Sequence, residues 1–250
     1  MAEDVTPALL DKIQRTFNLG LSQSKKVIGI QAKIANGTAT YLDAQTYSIE
    51  LGELLAKAFK THLSSDVLPE GRMYYNIAEK ILNETLGNNH QLISKVTKQV
   101  QELLNAKSGI GLKSVDVPVY QSKIKSLVNR IANEENFDDI AWMLDAPVVT
   151  FSQNVVDDIL KANVEFHGKS GMRPTITRIV HGHKPCDWCR SLAGTYHYPD
   201  VPTDVYKRHD RCKCSVTYDP GEGKVQDVWT KDLITPEEKE LIEQRKTYGL

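Results

Sequence analysis

Apolar residues recur every three or four positions through the first two-thirds of this chain, the period of helices that each bury one face. Val27, Ile30 and Ile34 form one stripe, and Tyr47, Leu51, Leu54 and Ala58 a second. Tyr74, Ile77 and Ile81 follow, then Ile93, Val96, Val100 and Leu103. Two more stripes run through Tyr120, Ile124, Leu127 and Ile131, and through Val148, Phe151, Val155 and Ile159. The pattern predicts about six amphipathic helices packed on one another. Thr6-Pro7 places a capping hydroxyl before a proline at the first helical position. Pro147 marks the first turn of another helix.

Breaks separate the stripes. Pro69-Glu70-Gly71 reads as a turn, and Gly87-Asn88-Asn89 as the end of one helix and the start of the next. Ser108-Gly109-Ile110-Gly111 reads as a flexible connection whose glycine spacing matches no phosphate-binding fingerprint.

Beyond His167 the period changes. Gly168-Lys169-Ser170-Gly171 is a short linker. Thr175 to Val180, Tyr196 to Tyr198 and Cys214 to Tyr218 are rich in β-branched and aromatic residues and read as strands, punctuated by Pro199, Pro202 and Asp219-Pro220-Gly221. Thr235-Pro236-Glu237-Glu238 predicts a last helix, with Thr235 as cap and Glu238 closing a capping box. The expected class is α+β. A mainly helical region covers 1–170, a small β-rich module covers 171–224, and a C-terminal helical tail covers 225–250.

Composition narrows the setting. Apolar residues make up 40% and charged residues 25%, as in ordinary soluble domains. The formal net charge of −1 gives no global field that selects nucleic acid or a membrane. The first residues are acidic and lack the apolar stretch of a secretory signal. No run of about 18 apolar residues predicts a membrane helix. The expected setting is a reducing cytoplasm, where clustered cysteines are metal ligands or redox groups rather than structural disulfides.

All four cysteines fall in one stretch, as Cys186-Asp187-Trp188-Cys189 and as His209-Asp210-Arg211-Cys212-Lys213-Cys214. A Cys-x-x-Cys knuckle lets two thiolates converge on one ion from a tight turn, so a tetrahedral zinc is expected. Five donors then compete for about four positions. Residues two apart on an extended strand lie about 6.6 Å from each other. Two sulfurs on one zinc stand about 3.8 Å apart. Cys212 and Cys214 therefore bind together only if the backbone turns or the side chains lean toward each other. Cys186, Cys189 and Cys212 are the expected ligands, with the fourth supplied by either His209 or Cys214. The ion would organise a segment that has few large apolar residues of its own. A thioredoxin-like pair would need a strand–helix context, whereas this Cys-x-x-Cys sits among prolines and short strands.

A catalytic zinc keeps an open position, and these ligands suffice to close the shell. A Pro-Cys-x-x-Cys stretch echoes nucleobase deaminases, which also need an upstream His-x-Glu. This chain has Glu165-Phe166-His167, the reverse order, and His181-Gly182-His183 has no glutamate. A zinc nuclease is a further alternative, since His181, His183, His197 and His209 crowd the segment, but no carboxylates pair with them for a second metal. No complete catalytic constellation is found. From Met172 to Cys214 there are eight Lys/Arg against four Asp/Glu, a local basic excess that allows a DNA-binding module as an alternative.

The stretch from His183 through Cys186, Cys189, Gly194 and Tyr196, followed by Arg208-His209-Asp210-Arg211-Cys212-Lys213-Cys214, resembles the phage Mu protein F-like family of minor head proteins. Its pattern is Cys-x-x-Cys, a small residue, Gly and an aromatic, then His-x-x-Cys-x-Cys, and Cys186, Cys189, Gly194, Tyr196, His209, Cys212 and Cys214 fill it in order. The family usually has Pro-Asn where this chain has Asp210-Arg211. The match covers Arg173 to Tyr218. The resemblance implies a virion component of a tailed bacteriophage or prophage, inside the capsid near the portal and in the host cytoplasm during assembly. It would act in head assembly or DNA packaging and delivery through contacts with portal, capsid or scaffold proteins, and with packaged DNA as a further partner. The zinc would be structural. No membrane and no small-molecule substrate is expected. Some relatives carry a C-terminal toxin domain, and none is expected in the short stretch after this module.

Overall fold

The computed structural model describes residues 4–181, 186–221 and 240. The chain begins with helices α1 (Thr6–Gln23), α2 (Lys25–Ala35) and α3 (Tyr41–His62), then α4 (Tyr75–Lys107) and α5 (Gln121–Ala132). A short α6 (Phe137–Ile140) leads into α7 (Ala146–Lys169). Strand β1 (Thr175–Ile179), a short α8 (Asp187–Ser191), β2 (Gly194–His197) and β3 (Ser215–Asp219) follow. The molecule is thus mostly helical with one small antiparallel sheet. Among the described residues, no helix is long and apolar enough to cross a membrane. The expected helix at Thr235 and the residues Gly182 to Pro185 lie outside the described residues.

Local chemistry explains several helix starts. The Thr40 side chain and Asp43 close a capping box at the start of α3. Ser24 Oγ accepts from the Val27 N–H at 3.3 Å and starts α2. Pro147 sits in the first turn of α7, as its fixed φ predicts. Thr6 does not cap α1, however. It is the first helical residue, Val5 holds the N-cap position, and the Thr6 N–H donates to Asp4 Oδ1 at 3.0 Å.

The expected break at Gly87-Asn88-Asn89 is not one. α4 runs unbroken for 33 residues, about 50 Å at 1.5 Å per residue. The reason is phase. Leu82, Leu86, Ile93, Val96 and Val100 are all buried on one continuing face. Asn89 lies on that face too, fully buried, and donates from Nδ2 to Ser152 Oγ at 2.6 Å. The roughly 1 kcal/mol cost of a helical glycine is small beside the burial of several such side chains at about 1.5–3 kcal/mol each.

α3 and α7 form the centre and pack closely at Gly52. A Cβ there would stand 2.8 Å from Val149 Cα and 2.9 Å from Ser152 Oγ. Leu51, Leu55, Phe59, Ile81, Leu82, Leu86, Val156, Ile159 and Leu160 fill the space between α3, α4 and α7 with almost no exposure.

The sheet has the order β2-β1-β3, all antiparallel. Register pairs Ile176 with Tyr196 and Tyr218, and Arg178 with Gly194 and Val216. Alternation places Ile176 and Arg178 of β1, with Val216 and Tyr218 of β3, on the inward face. Ile176, Val205, Tyr206, Val216 and Tyr218 belong to the same buried apolar cluster as the helices. The expectation that this segment lacks a core of its own is therefore corrected in one respect: its inner face completes the helical core. The number of apolar residues along the segment does not set its burial, which depends on the helical surface they meet.

Candidate metal centre

Two turns bring five donor atoms together. The first is the start of α8. Cys186 stands at its N-cap, where its Sγ accepts from the Cys189 N–H at 3.3 Å. The helical turn then returns the Cys189 side chain toward that of Cys186. The second turn joins His209 to Cys212, with the Cys212 N–H donating to the His209 carbonyl at 3.1 Å. Arg211 takes a left-handed φ of 60° there. The sheet ladder starts only at Ser215, so the spacing of an extended strand does not hold for Cys212 and Cys214. Their sulfurs lie within 4.8 Å of each other and of Cys189.

Cys186 Sγ and Cys189 Sγ lie 3.3 and 3.0 Å from His209 Nε2. Cys189 Sγ lies 3.9 Å from Cys212 Sγ. The five residues singled out from the sequence thus form two overlapping triads. Cys186, Cys189 and His209 make one; Cys189, Cys212 and Cys214 make the other. Cys189 is common to both. Cys189, Cys212 and Cys214 are buried, while Cys186 and His209 face solvent. Such a cluster is within range of a metal site. Among the described residues, no carboxylate joins either triad.

His209 is oriented for the task. Its Nδ1 lies 2.8 Å from the Asp210 carbonyl oxygen. A carbonyl only accepts, so Nδ1 carries the proton and the Nε2 lone pair faces the sulfurs.

Crowding decides the protonation of the thiols when no cation is near. Burial, followed by the neighbouring Cys214 and Cys186 thiols, pushes Cys189 up to about 12. Burial likewise raises Cys214. Cys186 at the rim goes the other way, lowered first by the Cys189 backbone N–H and also by His209. A divalent cation would reverse the first two effects, because it stabilises the thiolate directly.

The loop that carries the second half of the cluster is held by one face of α7. Thr150 Oγ1 donates to Asp210 Oδ1 at 3.2 Å. Gln153 Nε2 donates to the Cys212 carbonyl at 3.2 Å. Asp157 pairs with Arg208, whose Nη2 donates to Oδ1 at 2.9 Å and whose Nη1 donates to the Cys214 carbonyl at 2.5 Å. Positions 150, 153 and 157 follow helical spacing, so a polar stripe lies inside an otherwise apolar face. From α3, Gln45 Nε2 adds a bond to the Val216 carbonyl at 3.2 Å. None of these positioning residues stood out in the sequence. A usable signal was the i, i+3, i+7 recurrence of polar residues between Val148 and Ile159.

Two further side chains frame the cluster. The Arg178 guanidinium lies 5.4 Å from the Trp188 ring centre, and Trp188 meets the His209 ring edge-on at 5.9 Å. The other histidines go elsewhere. His181 Nε2 pairs with Ser215 Oγ at 2.8 Å, His197 Nδ1 with Thr175 Oγ1 at 3.0 Å, and His167 Nδ1 with the Tyr218 hydroxyl. His183 lies outside the described residues.

Gly194 has φ +149°, a conformation that side chains rarely adopt. Tyr196 on the same strand donates its hydroxyl to the Leu192 carbonyl at 3.2 Å. Compared with known proteins, the chain matches no family model, no curated protein and no solved structure.

Proposed function

We propose that the chain is a minor head protein of a tailed bacteriophage or prophage, and that its Cys/His cluster holds one structural Zn²⁺. The reading rests on a single observation. Cys189 and Cys212, from the two halves of the Mu F-like pattern, have 22 residues between them in sequence, and the fold converges the two halves on one patch around Cys189. Gly194 and Tyr196, which complete that pattern, occupy the strand that follows α8.

The donors suit zinc. Sulfur and imidazole without carboxylate favour Zn²⁺ over oxygen-seeking Mg²⁺ or Ca²⁺. The 3.9 Å between Cys189 and Cys212 sulfurs is close to the roughly 3.8 Å that two 2.3 Å bonds give on a tetrahedral ion. A sulfur and an imidazole nitrogen on such an ion stand about 3.6 Å apart. His209, exposed at the rim, reaches that spacing by a shift of a few tenths of an ångström. When bound, the ion would supply cross-linking of α8 to the loop before β3, not a reacting water.

In this reading the helical region and the zinc-tied rim act through contacts with portal, capsid or scaffold proteins during head assembly or DNA packaging. The site would be in the capsid interior of the virion. Metal analysis of the purified chain tests the zinc, with one ion per chain expected. Mass spectrometry of virions from the phage that encodes it tests the function. A few copies per particle support the proposal; absence from particles and from assembly intermediates overturns it. Retention on DNA that falls steeply with salt would shift the reading to DNA contact.

A further inference from the structure

Arg178 is the least expected residue on the inner face of the sheet. It takes the inward position that alternation from Ile176 reserves for an apolar side chain, and it is 1% exposed. Its Nη1 donates to the carbonyls of Val205 and Lys207 at 2.5 and 2.9 Å. Its Nε has no partner. Its Nη2 points at Cys212 Sγ, 3.8 Å away. The ring of Trp188 covers it.

What is missing is an anion. Among the described residues, no carboxylate lies within ion-pair distance of Arg178. Arg208, the other arginine buried in this region, has Asp157. A guanidinium removed from water without a counter-charge is strongly unfavourable, and it cannot discharge by losing its proton. Two carbonyls and an aromatic face relieve that cost only in part. The groups within its reach that can carry negative charge are the sulfur of Cys212, at which Nη2 points and which adjoins Cys189 at 3.9 Å, and the neighbouring sulfur of Cys214.

We propose that Arg178 is the fixed counter-charge of the metal–thiolate cluster, and that its single positive charge selects three thiolates and the His209 imidazole as the ligand set. This rests on the cluster holding a divalent cation. The arithmetic is short. Three thiolates on a divalent ion leave a net charge of −1, which one guanidinium cancels. Four thiolates leave −2, and Arg178 cancels only half. On that count Cys186, Cys189, Cys212 and His209 are the ligands and Cys214 is the thiol left out; Cys212, which shares a triad with Cys189 and not with Cys186 or His209, has to close on those two as the ion binds. Trp188 belongs to the same device. It lies inside the Cys-x-x-Cys turn, caps the guanidinium and abuts His209, so the two halves of the site close over one charge.

The full-length chain is the right material, as wild type and as R178M, R178K and C214S. Zinc stoichiometry is read by elemental analysis, and affinity by competition with a chromophoric chelator. Wild type and C214S are expected to hold one zinc per chain. R178M is expected to bind zinc on the order of tenfold to a hundredfold more weakly, the scale of one lost charge pair once the desolvation cost of the guanidinium is returned. R178K restores the charge without the fork and is expected to stay within about tenfold of wild type. Substitution by cobalt gives a readout that a purely structural role would not move. Loss of the donor to Cys212 shifts the thiolate-to-cobalt absorption to lower energy in R178M alone.

Wild-type affinity and an unshifted cobalt spectrum in R178M overturn the counter-charge while leaving the zinc reading intact. Loss of zinc in C214S overturns the ligand set. A wild-type chain that binds no zinc removes both proposals. Should R178M fail to fold, R178K decides: zinc held as in the wild type supports the charge, and a loss beyond tenfold overturns it.

Discussion

Asp157 and Arg208 form an ion pair whose two side chains are each 1% exposed, and it joins the middle of α7 to the loop that carries the second half of the Cys/His cluster. Arg208 then reaches the Cys214 carbonyl, and Asp157 also lies 3.4 Å from Gln45 Nε2 of α3. One buried pair thus fixes the cluster's backbone to both central helices. Removing one partner strands the other charge in the interior. D157N is expected to destabilise the fold by about 3–5 kcal/mol. Replacing both, as D157L with R208M, is expected to recover most of that loss, because no charge is then left unpaired. Urea unfolding of the two variants checks it. If D157N costs no more than a surface substitution, the pair does not anchor the loop.

Cys189 is the only donor common to both triads. C189S is therefore expected to lose the metal outright, whichever residue is the fourth ligand, while substitution of exposed Cys186 weakens binding less. Chelation should loosen the turns at 186–192 and 207–214. It should not unfold β1 and β3, since Ile176, Val216 and Tyr218 are part of the helical core. Hydrogen exchange measured with and without chelator checks this. Loss of protection across Ile176 and Val216 on chelation would mean that the ion, rather than burial, holds the sheet.

The five clustered donor residues were readable from the sequence because metal-binding chemistry depends on residue type and spacing, both of which are visible there. The helical stripes were readable for a similar reason, since period alone marks a buried face. The continuity of α4 was not. Gly87 and the two asparagines look like punctuation until Asn89 is seen to spend its amide on Ser152. Arg178 and Asp157 were missed because their meaning depends on a partner far along the chain. An arginine two residues after a buried isoleucine could have been noticed as a strand position out of character. That its neighbour would be Cys212 is a matter of topology.

Gly52 sets the spacing of the two central helices. A methyl group there would meet Val149 Cα and Ser152 Oγ at distances below 3.0 Å, so α7 itself must move. G52A is expected to cost about 1–3 kcal/mol, despite the better helix propensity of alanine. Thermal unfolding checks it, with G29A as the control: Gly29 is also helical, but nothing lies within 4 Å of its Cβ position. G29A is expected to be neutral or stabilising, and the two variants should therefore move in opposite directions.

His167 is buried between α7 and the sheet, with Nδ1 against the Tyr218 hydroxyl and Nε2 without a partner. Burial lowers its pKa below the usual 6.5. His90 is lowered too, by burial first and against the opposing effect of Asp116. The unfolded chain takes up these two protons near pH 6.5, whereas the folded chain takes them up only at lower pH. Just below 6.5 the unfolded state therefore binds more protons, and stability falls as the pH drops through that value toward the folded pKa. Above about pH 7.5 both histidines are neutral in either state, and this contribution becomes flat. Melting the metal-free chain at pH 7.5, 6.5 and 5.5 isolates the effect from proton competition at the thiolates. H167Q is expected to lessen the loss of stability between pH 6.5 and 5.5, with His90 still contributing to the slope that remains. An unchanged slope in H167Q would show that His167 is protonated as readily in the folded chain as in the unfolded one.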